Sequence, residues 1–375
     1  MHTRRSALVL GAAGAAGALL SAGPMTKASP SSAEPDPRLG DFHMPLESAP
    51  HARTFMQWPV AQSVYGRRGL AGVQRSIVDI ANAIGQFEPV VLLSGDTGRS
   101  GIRAGLSNAV ELWDIATDDL WCRDSGPTFV VDAAGNLAVA HLRFNGWGNK
   151  QGFANDGLVA ASVAARLDLP LLETGLVGEQ GGVEHDGAGL LLAHESCWVN
   201  PNRNTLDRDT IAARLCLALG AQQMIWAPGL KGEDITDYHI DALARFVGPS
   251  TVLIQIDDAL DPDDPWSRAA HQTLRALEEA RDLAGKPLTI VKLPEPETVR
   301  SNAPDFVSSY INYYVCNGAV IAAQFGDAQA DGLARETLAD LYPGREIVML
   351  DIDPIGESGG GIHCATQQQP APRRS

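Results

Sequence analysis

Positive charge is scarce in this 375-residue chain: 29 Lys and Arg stand against 45 Asp and Glu, a formal net charge of −16. Nucleic-acid binders carry a basic patch, so this balance argues against that class and suits a small cationic partner. Cysteine is rare too, at 122, 197, 216, 316 and 364. Five are too few for a disulfide framework at this length, and an odd number leaves at least one thiol free. No CxxC pair or histidine-rich tract marks a metal site. No GxGxxG or GxxxxGK[ST] string follows the first strand-like runs, so a nucleotide fold has no local support. Charged residues make up only 20% and hydrophobic ones 45%, a composition that builds a core and not a disordered chain.

What is present begins at the N-terminus. Arg4 and Arg5 precede an apolar stretch over residues 7–20 that is too short and Gly-rich for a membrane span. It suits a signal-peptide core, and the paired arginines point to twin-arginine export of a mature protein beginning near residue 29. An ordinary secretory signal or an uncleaved anchor are the competing readings. Residues 29–41 read as a flexible linker, 42–370 as one globular domain and 371–375 as a loose tail. Within the domain, strand-like runs at 89–93, 109–115, 128–131, 137–142, 190–193, 252–256, 288–291 and 319–323 alternate with helical patterns at 72–84, 207–219, 265–283 and 331–341. That alternation means an α/β protein. No internal repeat of fixed period is visible.

Four segments carry candidate chemistry. ESGGGIHCATQQQP (357–370) places Cys364 just beyond three glycines, where the backbone can approach a ligand closely. The competing reading is a Gly-rich loop with an incidental cysteine. In DITDYHID (234–241), an extended backbone would turn His239 and Asp241 to one face. A polar surface loop, with Asp237 as a cap, is the alternative. WCRDSGP (121–127) offers an aromatic and a carboxylate at a strand entrance, or a plain Arg123–Asp124 surface pair. GGVEHDG (181–187) sets Glu184 among glycines, although Asp186-Gly187 is also a strong hairpin signal. One thiol, one histidine and several carboxylates form an inventory for attack on a cationic carbon. A guanidinium presents forked N–H donors that match carboxylates bidentately, and its charge favours a thiolate.

These strings resemble the agmatine deiminase and bacterial peptidyl-arginine deiminase family, within the guanidino-modifying pentein superfamily. The resemblance runs from HMPLESAPHARTFMQWP (43–59) through WCRDSGPTFV, RFNGWGNK, EQGGVEHDG, ESCWVNPNRN, DITDYHID and NYYVCNGAVIAAQFGD to GGGIHCATQQQP (359–370). It implies a five-bladed pseudosymmetric α/β-propeller with a central active site, and no metal or organic cofactor. It gives Cys364 the role of nucleophile and His239 that of general acid/base. Asp124 and Asp241 become the guanidinium-gripping pair, and Glu184 the acid that orients the histidine. Trp121 is placed against the substrate's aliphatic stem. The chain departs from the family pattern at Gln180, Ala188 and Tyr238, and a tyrosine facing inward at 238 would narrow the pocket. The implied reaction is agmatine plus water to N-carbamoylputrescine plus ammonia. Deimination of peptidyl or free arginine to citrulline is the runner-up, and a non-catalytic exported guanidine-binding protein is the reading from another class. Oligomeric state is left open, and the only membrane contact expected is through the export signal.

Overall fold

Strand-forming and helix-forming runs fold into one motif used five times. The computed structural model describes residues 33–372 except 61, 96–98 and 305, so the twin-arginine segment lies outside the described residues. Each unit is an antiparallel hairpin whose second strand leads through a helix to a third strand running parallel to it. In chain order the hairpins and their parallel partners are Thr366–Pro370/His51–Gln57 with Val90–Leu93, Thr128–Asp132/Leu137–His141 with Leu171–Glu173, Val183–His185/Leu190–His194 with Gln223–Ala227, Ala244–Gly248/Thr251–Gln255 with Thr289–Leu293, and Tyr314–Cys316/Ala319–Ala323 with Glu346–Leu350. The crossover helices are Gln62–Ile84, Asp156–Arg166, Arg208–Leu219, Pro265–Glu279 and Ala328–Leu341. Phe42–His43 and Val110–Trp113 each add an edge strand.

Neighbouring units touch all the way round. Thr366–Pro370 packs on Thr128–Asp132, Val130 shares a core with Val183, and Ala244–Gly248 packs on Val183–His185. Arg245 donates to the Tyr313 carbonyl, and the Tyr314 hydroxyl meets Thr54 Oγ1 at 2.9 Å, joining the fifth unit to the first. The first unit is itself stitched from both ends of the described chain. The architecture is the pentein fold.

Every strand and helix expected from the sequence forms, with shifted ends. The helix placed at 265–283 stops at Glu279, because Arg281 and Pro287 bridge across a turn at Gly285. Its start is well specified: Asp264 accepts from the backbone N–H groups of Trp266 and Ser267, with Pro265 at the first position. The expected hairpin turn at Asp186-Gly187 is present, with Asp186 accepting from Ala188 and Leu190. The linker reading of 29–41 fails at its C-terminal end. Pro37–Asp41 is a 3-10 turn, and Leu39 is fully buried in the same core as Ile211 and Leu215. All five cysteines are free, and no described helix is long and apolar enough to cross a membrane.

Candidate active site

The turn that feeds the first strand of a unit is the same structural position five times over, and each copy delivers a polar group. Asp124 precedes Thr128–Asp132, Glu179 and Gly181 precede Val183–His185, and His239 and Asp241 precede Ala244–Gly248. Asn312 precedes Tyr314–Cys316, and Cys364 precedes Thr366–Pro370. Residues far apart in sequence thus converge.

The geometry is tight. Cys364 Sγ lies 3.5 Å from Asp241 Oδ2 and accepts from Asn312 Nδ2 at 3.1 Å. His239 Nδ1 is 3.6 Å from Asp124 Oδ1, and its Nε2 is 3.2 Å from Glu179 Oε2. A Cβ placed on Gly181 would sit 2.7 Å from Asp124 Oδ1, 2.9 Å from His239 Nδ1 and 3.2 Å from Asp241 Oδ2. Three functional groups therefore converge over one glycine, and a side chain there would fill the space between them. Asp124 Oδ1 and Asp241 Oδ1 are both buried with no hydrogen-bond partner. Buried acceptors of this kind are rare and costly unless something completes them. The other oxygen of Asp124 is held by Trp147 Nε1 at 2.8 Å, which leaves Oδ1 as the open one.

Local backbone supports this convergence. Asp237 and Tyr238, directly before His239, both have positive φ, 61° and 70°. Left-handed backbone costs a non-glycine residue roughly 1–2 kcal/mol. The surroundings hold it: Arg203 and Lys150 each bind Asp237 at 2.8 Å, and the Tyr238 ring is packed between His194 and Trp266. Tyr238 therefore packs into the core of the unit and does not narrow the pocket. His239 and Asp241 are not on an extended strand as expected. They flank the start of the 3-10 turn Ile240–Ala242, which still turns both toward Gly181. On the cysteine loop, a Cβ on Gly360 would lie 2.3 Å from the Trp121 ring and one on Gly361 would lie 2.5 Å from Asn312 Oδ1. Only glycine fits either position. Trp121 thus packs against the loop that carries Cys364.

Charge follows from this packing. Burial lowers the tendency of His239 to hold a proton, but Asp124, Glu179 and Asp241 outweigh it and raise its pKa to about 9. Burial pushes the Asp124 carboxyl up to about 6, against the pull of His239 and with the charges of Asp241 and Glu179 adding to the rise. Burial, Asp241 and Asp124 hold the Cys364 thiol well above the ordinary thiol range. The site is therefore anionic, keeps His239 charged, and keeps its thiol protonated until a cation arrives.

One assigned role needs correction. Glu184 is not the acid on the histidine: its Oε1 pairs with Arg245 at 2.9 Å. Glu179, five residues earlier, takes that place and is itself gripped by Arg203 at 2.8 Å. Both acids lie in EQGGVEHDG, and only the 3-10 turn Gln180–Gly182 decides which one faces His239. Trp147, Asn312 and His363 also belong to the site and are not singled out by sequence, although all three stand in strings that carry the family resemblance. Trp147 carries a positive φ of 53°, a backbone feature with no sequence signature in a tryptophan. Glu179→Gln should move the alkaline limb of the activity profile to lower pH, since a charge that holds the His239 proton is gone. It should also lower kcat by about 10²-fold, the low end for general acid/base catalysis. Glu184→Gln should leave that limb in place; the reverse pattern in pH–rate profiles would restore Glu184 to the role.

Comparison with known proteins places the chain. Residues 43–370 match the Porphyromonas-type peptidyl-arginine deiminase family. The agmatine deiminase of Ectopseudomonas mendocina is 36% identical over 364 residues, covering 90% of this chain and 98% of that one. The agmatine deiminase of Pseudomonas fluorescens is 34% identical over 366 residues, with 90% and 98% covered. Among solved structures, the agmatine deiminase of Enterococcus faecalis superposes with a TM-score of 0.83 at 27% identity, over 92% of this chain and 99% of that one. With the match spanning nearly all of the described fold, the chain belongs to the Porphyromonas-type peptidyl-arginine deiminase family.

Proposed function

We propose that this protein hydrolyses the guanidinium of a small amine, agmatine, to N-carbamoylputrescine and ammonia. The observation that carries this reading is the pair of buried oxygens that accept no hydrogen bond, Asp124 Oδ1 and Asp241 Oδ1, beside the Cys364 thiol. A planar cation with N–H donors on two edges completes both acceptors at once. Its arrival neutralises the two charges that hold the thiol protonated, and its own charge stabilises the thiolate. The thiol proton leaves to solvent as the substrate binds.

The chemistry then follows in two steps. Cys364 Sγ bonds to the central guanidinium carbon, His239 gives its proton to one nitrogen, and the C–N bond breaks to release ammonia. The remaining S-alkylthiouronium is attacked by water, whose proton passes to the now neutral His239. The C–S bond breaks, the sulfur leaves as thiolate, and the second proton of the water passes to solvent as the product becomes a neutral ureido group. Glu179 and Trp147 act by holding His239 and Asp124 in place.

An amine-ended substrate is favoured over an arginine carboxylate because both basic side chains of the RFNGWGNK string are already held by acids. Arg143 is bound by Glu173 at 2.6 Å, and Lys150 by Asp237 at 2.8 Å. The agmatine deiminases of Ectopseudomonas mendocina and Pseudomonas fluorescens support the same reading by their names, whereas the family's own name favours a peptidyl substrate. Ammonia release should be measured from agmatine, free arginine and an arginine-terminated peptide. Agmatine should be turned over with the highest kcat/KM. Preference for the peptide would make this a peptidyl-arginine deiminase, and no release from any would leave a guanidine-binding protein.

A further inference from the structure

Beneath the guanidinium space lies a second buried charged group that the reaction as written does not use. Glu47 enters it from the segment ahead of the first unit, at 2.8 Å from Arg245 Nη2, 2.9 Å from His363 Nε2 and 3.3 Å from Arg123 Nη2. Its other oxygen accepts from the Val315 N–H at 2.9 Å. The two arginines and His363 hold this carboxyl well below the usual range, against the effect of burial, led by Arg245. His363 is the bridge. Its Nδ1 lies 2.7 Å from Asp241 Oδ2, the same oxygen that the neighbouring Cys364 thiol faces at 3.5 Å.

We propose that Glu47 and His363 are positioning residues that select which oxygen of Asp241 meets the substrate and ease thiolate formation beside it. This deepens the deiminase reading and rests on it. The argument is one of hydrogen-bond accounting. Asp241 has two oxygens, both buried; a donor fixed on Oδ2 locks the carboxylate's rotation and leaves Oδ1 open. That donor is an imidazole ring, which can tilt unless its far nitrogen is tied down, and Glu47 ties it. The ring also draws charge from the oxygen nearest the sulfur, so the thiolate meets less repulsion. Asn312 fixes the backbone beneath both residues: its carbonyl accepts from the His363 N–H at 3.1 Å and its Oδ1 from the Cys364 N–H at 3.2 Å. Ring and thiol thus address one oxygen from adjacent positions on a clamped loop.

The test separates positioning from mere folding by a KM-against-kcat split. His363→Ala should lower kcat/KM by about 100-fold, the scale of a reacting group displaced by an ångström, with KM raised as well as kcat lowered. His363→Asn keeps a donor at the Nδ1 position and should recover about tenfold of that loss. Glu47→Gln, which keeps the shape and removes the charge, should raise KM and lower kcat/KM by about tenfold. A purely structural role would reduce the active fraction and kcat at unchanged KM. Wild-type KM in folded Glu47→Gln and His363→Asn proteins would overturn the proposal, including where His363→Ala does not fold. Agmatine binding by calorimetry to Cys364→Ser, with and without Glu47→Gln, keeps the two readings apart. Binding of equal affinity in both sinks the positioning role, whereas no guanidinium binding to Cys364→Ser sinks the deiminase reading itself.

Discussion

Cys364→Ser should eliminate turnover and leave guanidinium binding in place. The reason lies in the charge state of the pocket. Asp241 and Asp124 already push the thiol up, and they would push a serine hydroxyl, far less acidic to begin with, further out of reach. A serine nucleophile needs a base, and the histidine at hand holds its own proton up to about pH 9. The Asp241 carboxylate that faces residue 364 is too weak a base to remove a hydroxyl proton. The loss should reach about 10⁴-fold or more in kcat, the order seen when a nucleophile is removed from a hydrolase. The carboxylates that grip the substrate are untouched, so agmatine should still bind. Ammonia release and calorimetry on the same preparation check both halves. Residual turnover within tenfold of wild type would mean that the nucleophile is another residue.

Asp241→Asn has the second largest expected effect, because one carboxylate serves three neighbours. It offers an open Oδ1 to the substrate, and its Oδ2 meets His363 at 2.7 Å and faces the thiol at 3.5 Å. An amide removes the charge and turns an N–H₂ toward either His363 or the guanidinium, both of which are donors. Loss of one member of a buried charged pair costs about 2–5 kcal/mol, so kcat/KM should fall by roughly 30- to 5,000-fold with KM strongly raised. The pH profile adds a check on the remaining acid. In the wild type, kcat/KM should rise through the Asp124 value of about 6, as that carboxyl ionises and can grip the cation. It should fall through the His239 value of about 9, as the proton needed by the departing ammonia is lost. In Asp241→Asn the acid limb should move to lower pH, since a like charge that raised Asp124 is gone, and the alkaline limb should also move lower, since a charge that held the His239 proton is gone. Limbs that stay in place would show that Asp241 is not coupled to either group. Wild-type KM in this variant would remove it from the substrate's grip.

The legible parts of the fold are those in which local pattern and tertiary role agree. Apolar strands such as Val90–Leu93 and Ala319–Ala323 are buried on both faces, and Pro265–Glu279 buries Ala270, Leu274 and Leu277 along one stripe. Of the strands that open the five units, only Thr128–Asp132 was legible. Thr366–Pro370 reads TQQQP, is buried throughout, and has no apolar alternation to announce it. Val183–His185 and Ala244–Gly248 carry Glu184 and Arg245 into the interior, where each satisfies the other. Sequence rules send such residues to the surface; here partners from other units hold them inside.

The sequence pointed to Cys364, His239, Asp124 and Asp241 as the reacting groups only through the resemblance of their strings to the family's, because each string taken alone also fits a surface loop or a plain ion pair. It also determined the α/β alternation. The five-fold repetition was expected from the resemblance alone, because it is a repetition of strand pairing and not of residues, and so leaves no period in the chain; which strands pair in each unit was decided by the tertiary structure. The same structure decided which of two acids in one nine-residue string faces His239, and set Glu47 and His363 under Asp241. Those choices are made by distances between units, and a hydrogen bond between residues hundreds of positions apart has no expression in either one's neighbours along the chain.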